Sequence, residues 1–218
     1  MYVYYMPLIS STWNKQDFRL LNFVSPERQR RVLNYVHDSD RRLSLYAALL
    51  ARRGLSKLTN IPHNQLSFDC RPNHKPRFLS APGRDFSLSH TAGCILCCIS
   101  SSGSVGADVE KIQSPPLQIM DMVFHPEEIR FIQNASPLQQ PRHFYEIWTK
   151  KEAYTKRLGT GLAADLPAHN TLSPDLHPVF KTWIINNYMC CICGKNANQY
   201  EIIDVSEKDI HDYFLGDD

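Results

Sequence analysis

The stretch WTKKEAYTKRLGTGL, residues 148–162, crowds three lysines and a glutamate onto little more than two turns of a predicted helix. The pattern predicts a helix over residues 141–158, ended by the glycines that follow. Residues four apart on a helix share a face, so Trp148, Glu152 and Lys156 form one stripe. Trp148 would seat the helix on the core. The other two residues are then either an ordinary Glu–Lys pair on a solvated face or part of a site that holds a metal and a phosphate.

A second segment, GADVE at residues 106–110, lies in a strand-like run. Side chains on a strand alternate, so Asp108 and Glu110 project from the same face. Two adjacent carboxylates repel each other unless a cation lies between them, although exposed strands often carry two acids. With Glu152 they make three carboxylates, and Mg²⁺ prefers oxygen ligands and often shares its sphere with substrate phosphates. Lys156 would then bind a phosphate oxygen that the metal leaves uncovered.

Two shorter motifs add polar groups that say little by themselves. SLSHTAG, residues 87–93, places Ser89 and His90 at the end of a predicted strand. HKPRF, residues 74–78, places Lys75 in a proline-rich turn. A lone histidine is more often structural than functional.

The first half of the chain has clear start and stop signals. MYVYYM at the start is β-branched and aromatic, which predicts a strand. Ser25 followed by Pro26 begins a helix to about residue 35, and the Asp-Ser-Asp at 38–40 begins a longer one that ends at the break at 60–62. Its predicted core face comprises Leu43, Tyr46, Leu49, Leu50 and Leu55.

Groups of helices and strands alternate along the rest of the chain. Predicted strands cover residues 66–68, 85–90, 94–100 and 104–110. A helix opens at Pro126 before the 141–158 helix. Further strands are predicted near 179–185, 188–193 and 200–205. Helices then strands, twice over, indicate an α+β fold of two similar halves, divided into residues 1–106 and 107–218.

Composition is ordinary for a soluble globular protein: 218 residues, 43% hydrophobic and 21% charged. No apolar run reaches the ~18 residues that a transmembrane helix needs. The N-terminus lacks the basic region of a signal peptide, so we expect a cytoplasmic protein.

Charge is unevenly spread although the formal net charge is only +2. Residues 25–57 contain eight basic residues and three acids, whereas residues 204–218 contain six acids and one lysine. The front segment either attracts anions or carries arginines on the wet face of a helix.

Seven cysteines include two C-x2-C spacings, CILC and CCIC, which are compatible with a zinc site. Both lie inside apolar strand-like runs, where residues three apart face opposite sides of a sheet. Burial as small apolar side chains is therefore the favoured interpretation.

Taken together, the motifs resemble the surfactin-type 4′-phosphopantetheinyl transferases. That family is marked by a lysine-proline turn, a strand ending in Ser-His, G-x-D-x-E and W-x-x-K-E-A-x-x-K. The same motifs occur here in the family's order, as Lys75-Pro76, Ser89-His90, 106–110 and 148–156. The resemblance extends to about Pro167. One departure is His74, where the family usually has glycine before the turn lysine.

The resemblance implies an intramolecular pseudo-dimer of two α+β halves with coenzyme A in the cleft between them. It implies that Asp108, Glu110 and Glu152 hold Mg²⁺ together with the pyrophosphate, which Lys156 also contacts.

The resemblance also implies residues for the 3′-phosphate of the nucleotide. These are Lys75, Ser89 and His90, with Arg28 and Ser44 helping, and with Arg31 near the same phosphates. Arginine at 28 and 31 stands where lysine is also found, which keeps the charge and adds a fork for phosphate. The arginine usual near the start of the long helix is either Arg41 or Arg42.

The implied activity is that of a holo-[carrier protein] synthase. It transfers phosphopantetheine from coenzyme A to a serine of an apo acyl or peptidyl carrier protein, in fatty-acid, polyketide or nonribosomal-peptide synthesis, and releases adenosine 3′,5′-bisphosphate. Glu152 is the best candidate base, directly or through a metal-bound water, with Lys156 neutralising charge. Lys151 either assists or faces solvent. We expect a monomer that binds neither nucleic acid nor a membrane.

Two alternatives stay open at this point. Three carboxylates with basic residues also suit a Mg²⁺-dependent phosphohydrolase or nuclease. A non-catalytic carrier-protein binder is the other, but it has no need of three converging carboxylates.

The carrier protein is expected to dock near residues 119–124. If that segment is extended, Met120, Met122 and Phe124 form one exposed apolar stripe. Burial of Phe124 in the core is the competing interpretation.

Overall fold

The computed structural model describes residues 1–71, 74–160 and 165–216. The fold is mixed α+β, as the sequence predicts. The helices are α1 Lys15–Leu20, α2 Pro26–Leu33, α3 Asp38–Thr59, α4 Met120–Val123, α5 Pro126–Gln133, α6 Gln140–Leu158 and α7 Glu207–Leu215. The strands are β1 Tyr2–Pro7, β2 Phe68–Asp69, β3 Arg77–Phe78, β4 Asp85–Thr91, β5 Cys94–Ser100, β6 Val105–Lys111, β7 Phe180–Ile185, β8 Tyr188–Gly194 and β9 Glu201–Asp204.

Two main sheets each carry a long helix. The first has the strand order β4-β5-β1-β9, with antiparallel pairs except for the parallel pair β1–β9. The second has the order β6-β8-β7 and is antiparallel throughout. Helix α3 packs on the first sheet and helix α6 on the second. A short pair, β2–β3, forms a separate two-stranded sheet that packs against β4.

Local signals in the sequence explain where the helices of the first half begin and end. The Ser25 hydroxyl accepts a hydrogen bond from the Arg28 amide at 3.2 Å, and Pro26 takes the first helical position of α2. Helix α3 ends at Asn60, whose φ of 56° lies in the left-handed region that asparagine tolerates. All five predicted core residues of α3 are buried. The predicted bounds of both helices are therefore confirmed to within about two residues.

Helix α6 contains the 148–156 motif and ends as predicted. Gly159 has a φ of 74°, and its amide donates to the Thr155 carbonyl at 2.8 Å, which closes the last turn. The second predicted stop signal, Gly161, lies outside the described residues.

The C-terminal segment returns to the first sheet. Strand β9 pairs with β1, and Val205, Ile210 and Phe214 are buried in the same core as α3. The predicted division into residues 1–106 and 107–218 stays a prediction. The structure shows in addition that the last part of the second segment packs with the first sheet.

Arg42 fastens the returning helix to α3. Its guanidinium is only 1% exposed, pairs with Glu207 of α7, and lies 3.6 Å from Asp17 of α1. Arg41 instead donates to the Tyr35 carbonyl at 2.9 Å and is partly exposed. Because Arg42 is consumed by these partners, Arg41 is the better of the two candidates for a role outside the core.

The segment at 119–124 differs from the extended stripe considered above. Residues Met120–Val123 are helical, so their side chains do not alternate. Met120 is 7% exposed and Phe124 1%, whereas Met122 is 74% exposed. The edge of the Phe124 ring packs against Phe144 at 5.2 Å between centroids. The expectation of a continuous exposed stripe is wrong, and the competing interpretation of a buried Phe124 is confirmed.

Six of the seven cysteines are buried in the sheets and Cys70 is exposed. Burial raises the pKa of Cys94 and of Cys98 to about 12, which keeps both as neutral thiols. Their packing with apolar neighbours confirms the interpretation of buried thiols.

Among the described residues, no helix is both long and apolar enough to cross a lipid bilayer.

Replacing Arg42 tests how much its ion pairs with Asp17 and Glu207 contribute to the stability of the fold. Arg42→Ala leaves the buried carboxylate of Asp17 without its cationic partner, so we expect a loss of roughly 3–5 kcal/mol in the free energy of unfolding in urea. Arg41→Ala is the matched control on the same helix, with an expected loss of about 0–1 kcal/mol because its ion pair with Asp38 is partly exposed. Equal losses in the two variants would contradict the assignment.

Candidate active site

The site is built at the seam where β4 of one sheet meets β6 of the other. Asp85 Oδ2 accepts a hydrogen bond from the Val105 amide at 2.9 Å, and Ser87 Oγ accepts one from the Ala107 amide at 2.9 Å. Alternate side chains of β4 thus satisfy the amides on the free edge of β6. Sequence reasoning missed Asp85 and Ser87, although the alternation in DFSLSH was a signal for them.

The next residue in this alternation is Ser89, which contacts Asp108. Asp108, together with Glu110 and Glu152, is called the acidic centre below. Its hydroxyl donates to Asp108 Oδ1 at 2.6 Å. The Lys156 ammonium donates to the same oxygen at 2.6 Å and to Ser89 Oγ at 3.0 Å. Asp108 is 2% exposed, and its second oxygen, Oδ2, is buried without a hydrogen-bond partner. The structure therefore brings three predicted site residues together and leaves one acceptor free.

Glycine at 106 allows β6 and α6 to touch backbone to backbone. A Cβ at Gly106 would lie 1.7 Å from the Ala153 carbonyl oxygen and 2.9 Å from the Arg157 amide nitrogen. Ala153 is fully buried. Because residues 152 and 156 lie on the same part of α6, this approach brings Glu152 and Lys156 to the strand that carries Asp108.

The carboxylates of the site repel one another. Desolvation and then the charge of Asp108 raise the pKa of Glu110 to about 7, while a hydrogen bond with the Thr91 side chain and the charge of Lys156 oppose the rise. Desolvation and the charge of Asp108 also raise the pKa of Glu152, against the opposing effect of Lys156. The single ammonium of Lys156 thus offsets only part of the repulsion.

This chemistry fits a hard cation. The donors are carboxylate oxygens, and one buried oxygen of Asp108 lacks a partner. Desolvation and then the charge of Asp108 raise the pKa values of Glu110 and Glu152, and a bound cation would oppose both effects. Within the described residues, however, no group of three or more His, Cys, Asp or Glu side chains is already arranged to hold a metal ion. The predicted Mg²⁺ ligation by Asp108, Glu110 and Glu152 therefore stays a prediction.

A basic cavity lies beside this centre. It has a volume of about 440 Å³ and is lined by Arg28, Arg31 and His74 among others. The Arg28 guanidinium donates to Ser44 Oγ at 3.5 Å, a long contact that joins α2 to α3. A second cavity of about 280 Å³ adjoins it and has a more apolar lining, which includes Phe86.

His90 lies in the field of the same cations. Its side chain is exposed to solvent at the end of β4, yet it faces a concave surface. Desolvation there, together with the positive charges of Lys156, Arg31 and Arg28, lowers the pKa of the imidazole. His90 is therefore close enough to Lys156, Arg31 and Arg28 for their charges to act on its imidazole.

Lys75 has partners within the protein. Its ammonium pairs with Asp85 and donates to the Val105 carbonyl at 2.7 Å, and burial lowers its pKa. Lys75 therefore helps to hold the seam together. Its contact with a phosphate, like that of Ser89, stays a prediction.

The two adjacent lysines of the 148–156 motif anchor the helix. The Lys151 ammonium is buried, lies 2.7 Å from Glu128 Oε2 and donates to the Leu166 carbonyl at 2.7 Å. The Lys150 ammonium lies 2.7 Å from Glu146 Oε1, one turn earlier. Of the two alternatives for Lys151, exposure to solvent is wrong, because its charge is paired inside the protein. A part in catalysis stays a prediction.

Comparisons with known proteins place both halves of the chain in one group. Residues 11–102 match the family described as 4′-phosphopantetheinyl transferase, N-terminal, and residues 104–205 match the 4′-phosphopantetheinyl transferase superfamily. A 4′-phosphopantetheinyl transferase of Bacillus subtilis is 28% identical over 160 residues, which cover 73% of this chain and 71% of the relative. The 4′-phosphopantetheinyl transferase gsp of Aneurinibacillus migulanus is 33% identical over 153 residues, 68% of this chain and 63% of the relative. The 4′-phosphopantetheinyl transferase Sfp of Bacillus subtilis strain 168 is 26% identical over 152 residues, 70% of this chain and 67% of the relative.

Gly106→Ala tests the contact between β6 and α6. The new methyl group has no room beside the Ala153 carbonyl, so α6 must move and separate Glu152 from Asp108. We expect a lower melting temperature and loss of activity. Gly194→Ala on the neighbouring strand is the control, since its Cβ meets chiefly the flexible end of Met1. Equal behaviour of the two variants would show that the close approach is unimportant.

Glu110→Gln tests the repulsion within the site. The folded-state pKa of about 7 exceeds the ordinary value of 4.5, so Glu110 binds its proton more tightly in the folded state. Its contribution to stability is therefore lost as the pH rises from about 4.5 through 7. In a metal chelator, we expect Glu110→Gln to melt higher than the wild type at pH 8, with a smaller difference at pH 5.

The control for this measurement is Glu201→Gln at an exposed position of β9. A Glu110→Gln effect that is the same at both pH values would contradict the raised pKa.

Proposed function

We propose a reaction for this chain from one premise: it belongs to the 4′-phosphopantetheinyl transferase superfamily. The reaction is the Mg²⁺-dependent transfer of phosphopantetheine from coenzyme A to a serine of an acyl or peptidyl carrier protein, as in holo-[acyl-carrier-protein] synthases. The observation that carries the proposal is the convergence of Ser89, Asp108 and Lys156 at the seam, with the unpartnered Asp108 Oδ2 beside a basic cavity.

The acidic centre would hold the metal. Asp108, Glu110 and Glu152 would bind Mg²⁺, which would neutralise pyrophosphate oxygens and polarise the phosphorus that is attacked. The pKa values of Glu110 and Glu152, raised mainly by desolvation and by Asp108, support a site that gains from an added cation.

Lys156 would exchange partners when coenzyme A binds. Its side chain is 28% exposed and now neutralises Asp108 Oδ1. With that charge neutralised otherwise, the ammonium is free to donate to a phosphate oxygen of the pyrophosphate. Lys156 would thereby stabilise the charge on the departing adenosine 3′,5′-bisphosphate.

The nucleotide would occupy the basic side of the site. Arg28 and Arg31 line the cavity of about 440 Å³, and both contribute to the positive field at His90. Arginine presents a planar fork of donors that suits phosphate, so these residues would hold the 3′-phosphate together with Ser44. Lys75 would join them if its ammonium turns away from Val105.

Glu152 would accept the proton of the attacking serine. The serine oxygen forms a bond to the phosphorus that carries the pantetheine arm, the bond from that phosphorus to the bridging oxygen breaks, and the electron pair leaves with adenosine 3′,5′-bisphosphate. Positioning and charge neutralisation would supply most of the acceleration.

The two sheets with their long helices would be pseudo-symmetric halves. In each half, a short helix that opens with proline, α2 or α5, precedes the long helix α3 or α6. The cleft at the seam would then lie on the pseudo-symmetry axis, where two halves of one monomer contribute different residues.

Transfer is tested directly by intact-protein mass measurement of a panel of apo carrier proteins incubated with coenzyme A, Mg²⁺ and this protein. We expect one carrier to gain the mass of phosphopantetheine. Asp108→Asn should lower turnover by roughly 10²–10³, the scale for loss of one electrostatic element of a site. Asp212→Asn, on the exposed face of α7, should leave turnover unchanged.

Two outcomes would overturn the proposal. Coenzyme A cleavage without any gain of mass on a carrier would favour the phosphohydrolase alternative. Full transfer activity in metal chelator would exclude the proposed role of the carboxylates.

A further inference from the structure

A third cavity, of about 710 Å³, lies at the beginning of β4, whereas His90 lies near the end of that strand. Its wall is formed by the β2–β3 sheet, the turns before β4 and β6, and the end of α6. The wall includes Lys75, but most of its other residues have no part in the reaction as proposed. Its size falls within the roughly 300–1,000 Å³ that small-molecule sites occupy. It is called the arginine cavity below.

The wall of the arginine cavity carries a surplus of positive charge. Its charged side chains are Arg71, Lys75, Arg77, Arg84 and Arg157 with the two carboxylates Asp69 and Asp85. Asp69 pairs with Arg71 at 3.0 Å, and Asp85 pairs with Lys75. Within the part of the chain that the structure describes, Arg77, Arg84 and Arg157 form no ion pair with a carboxylate. Three guanidinium groups of the wall are therefore not neutralised.

The three unpaired arginines come from three different elements. Arg77 lies in β3, Arg84 in the turn before β4 and Arg157 in the last turn of α6. Arg84 is half-buried, and its Nε is buried without a hydrogen-bond partner. Arg157 Nη1 lies 3.9 Å from the thiol of Cys193, whose pKa burial raises to about 11, so the thiol is neutral. Unpaired cations that line one cavity from three elements differ from the solvated face of a single helix and indicate a site for an anion.

The wall favours a small phosphate compound. A guanidinium presents a planar fork of donors that matches the oxygens of a phosphate group. Three such forks around one cavity suit an anion that carries two or more phosphate groups. Leu79 and Leu158 of the wall are 50% and 48% exposed, so they are available to cover an apolar part of the same compound.

Lys75 connects the arginine cavity to the active site. Its side chain also lines a small cavity of about 190 Å³ that includes Lys156. Its ammonium pairs with Asp85 and donates to the Val105 carbonyl at 2.7 Å. In the reaction as proposed, the ammonium has to leave these partners to reach the 3′-phosphate. An anion in the arginine cavity would attract the ammonium and oppose that movement.

We propose that the arginine cavity is a regulatory site for a small anion with two or more phosphate groups. Arg77, Arg84 and Arg157 would bind the phosphate oxygens, and the bound anion would keep Lys75 beside Asp85. The anion site itself does not depend on the reaction, whereas the effect on coenzyme A rests on the proposed function. Because coupling between two sites is reciprocal, coenzyme A should weaken binding of the anion by the same factor.

Binding is tested by calorimetry with inorganic triphosphate as the probe. A metal chelator is present, and excess coenzyme A fills the substrate site. We expect the wild type to bind triphosphate at one remaining site. Arg84→Gln/Arg157→Gln removes two cations from the wall and should weaken this binding at least about tenfold.

Two further variants make the comparison specific. Lys15→Gln/Arg142→Gln removes the same charge from exposed positions outside the cavity, so triphosphate should bind within about twofold of the wild type. Arg77→Glu reverses a charge at an exposed position of β3 and should also weaken binding, without a change in the core. The melting temperature of each variant is measured to confirm that it is folded.

The effect on coenzyme A is measured in the same way. In the wild type, increasing triphosphate should raise the dissociation constant of coenzyme A by roughly fivefold and then reach a plateau. The plateau is expected because the two ligands would occupy different sites. In Arg84→Gln/Arg157→Gln this rise should disappear at the same concentrations of triphosphate.

The outcomes separate the anion site from the function. No binding of triphosphate to the wild type in excess coenzyme A, or equal binding in Arg84→Gln/Arg157→Gln and its control, would overturn the anion site. A rise without a plateau, or no rise, would overturn the regulatory role. A wild type that does not bind coenzyme A would overturn the proposed function, while binding of triphosphate that depends on Arg84 and Arg157 would still support the anion site.

Discussion

The side-chain hydrogen bonds from β4 to the edge of β6 are the constraint on which the site depends. Buried amides need partners, and those of Val105 and Ala107 find them in side chains instead of a neighbouring backbone. The same alternation then delivers Ser89 to Asp108, and the acidic centre follows from the way the sheets are joined.

The second constraint is the contact of β6 with α6, which brings carboxylates of like charge close together. Gly106 lets the two backbones meet, and the carboxylates of Asp108 and Glu152 are brought together despite their repulsion. Lys151, buried against Glu128, helps to hold α6 in this unfavourable position. A site that gains from a bound cation is thus maintained by packing and ion pairs elsewhere on the same helix.

The uneven charge of the sequence acquires a structural meaning through the chain return. The basic front segment and the acidic tail meet where Glu207 pairs with the buried Arg42. Arg28 and Arg31 of the same basic segment instead line the basic cavity. The basic segment therefore has two roles, an ion pair that holds the C-terminal helix and the lining of a cavity. The position of each arginine on its helix decides which role it has.

Local signals were enough to predict most of the helices and strands. Caps and periodicity bounded the helices, and strand alternation placed Asp108 and Glu110 on one face of β6. The sequence could not distinguish residues of the same type that have different roles. Lys151 is buried in an ion pair with Glu128, whereas Lys156 contacts Asp108 in the site. Met120 likewise turned inward with its helix. These roles depend on partners far away in the chain, such as Glu128, and only the tertiary structure brings such partners into contact.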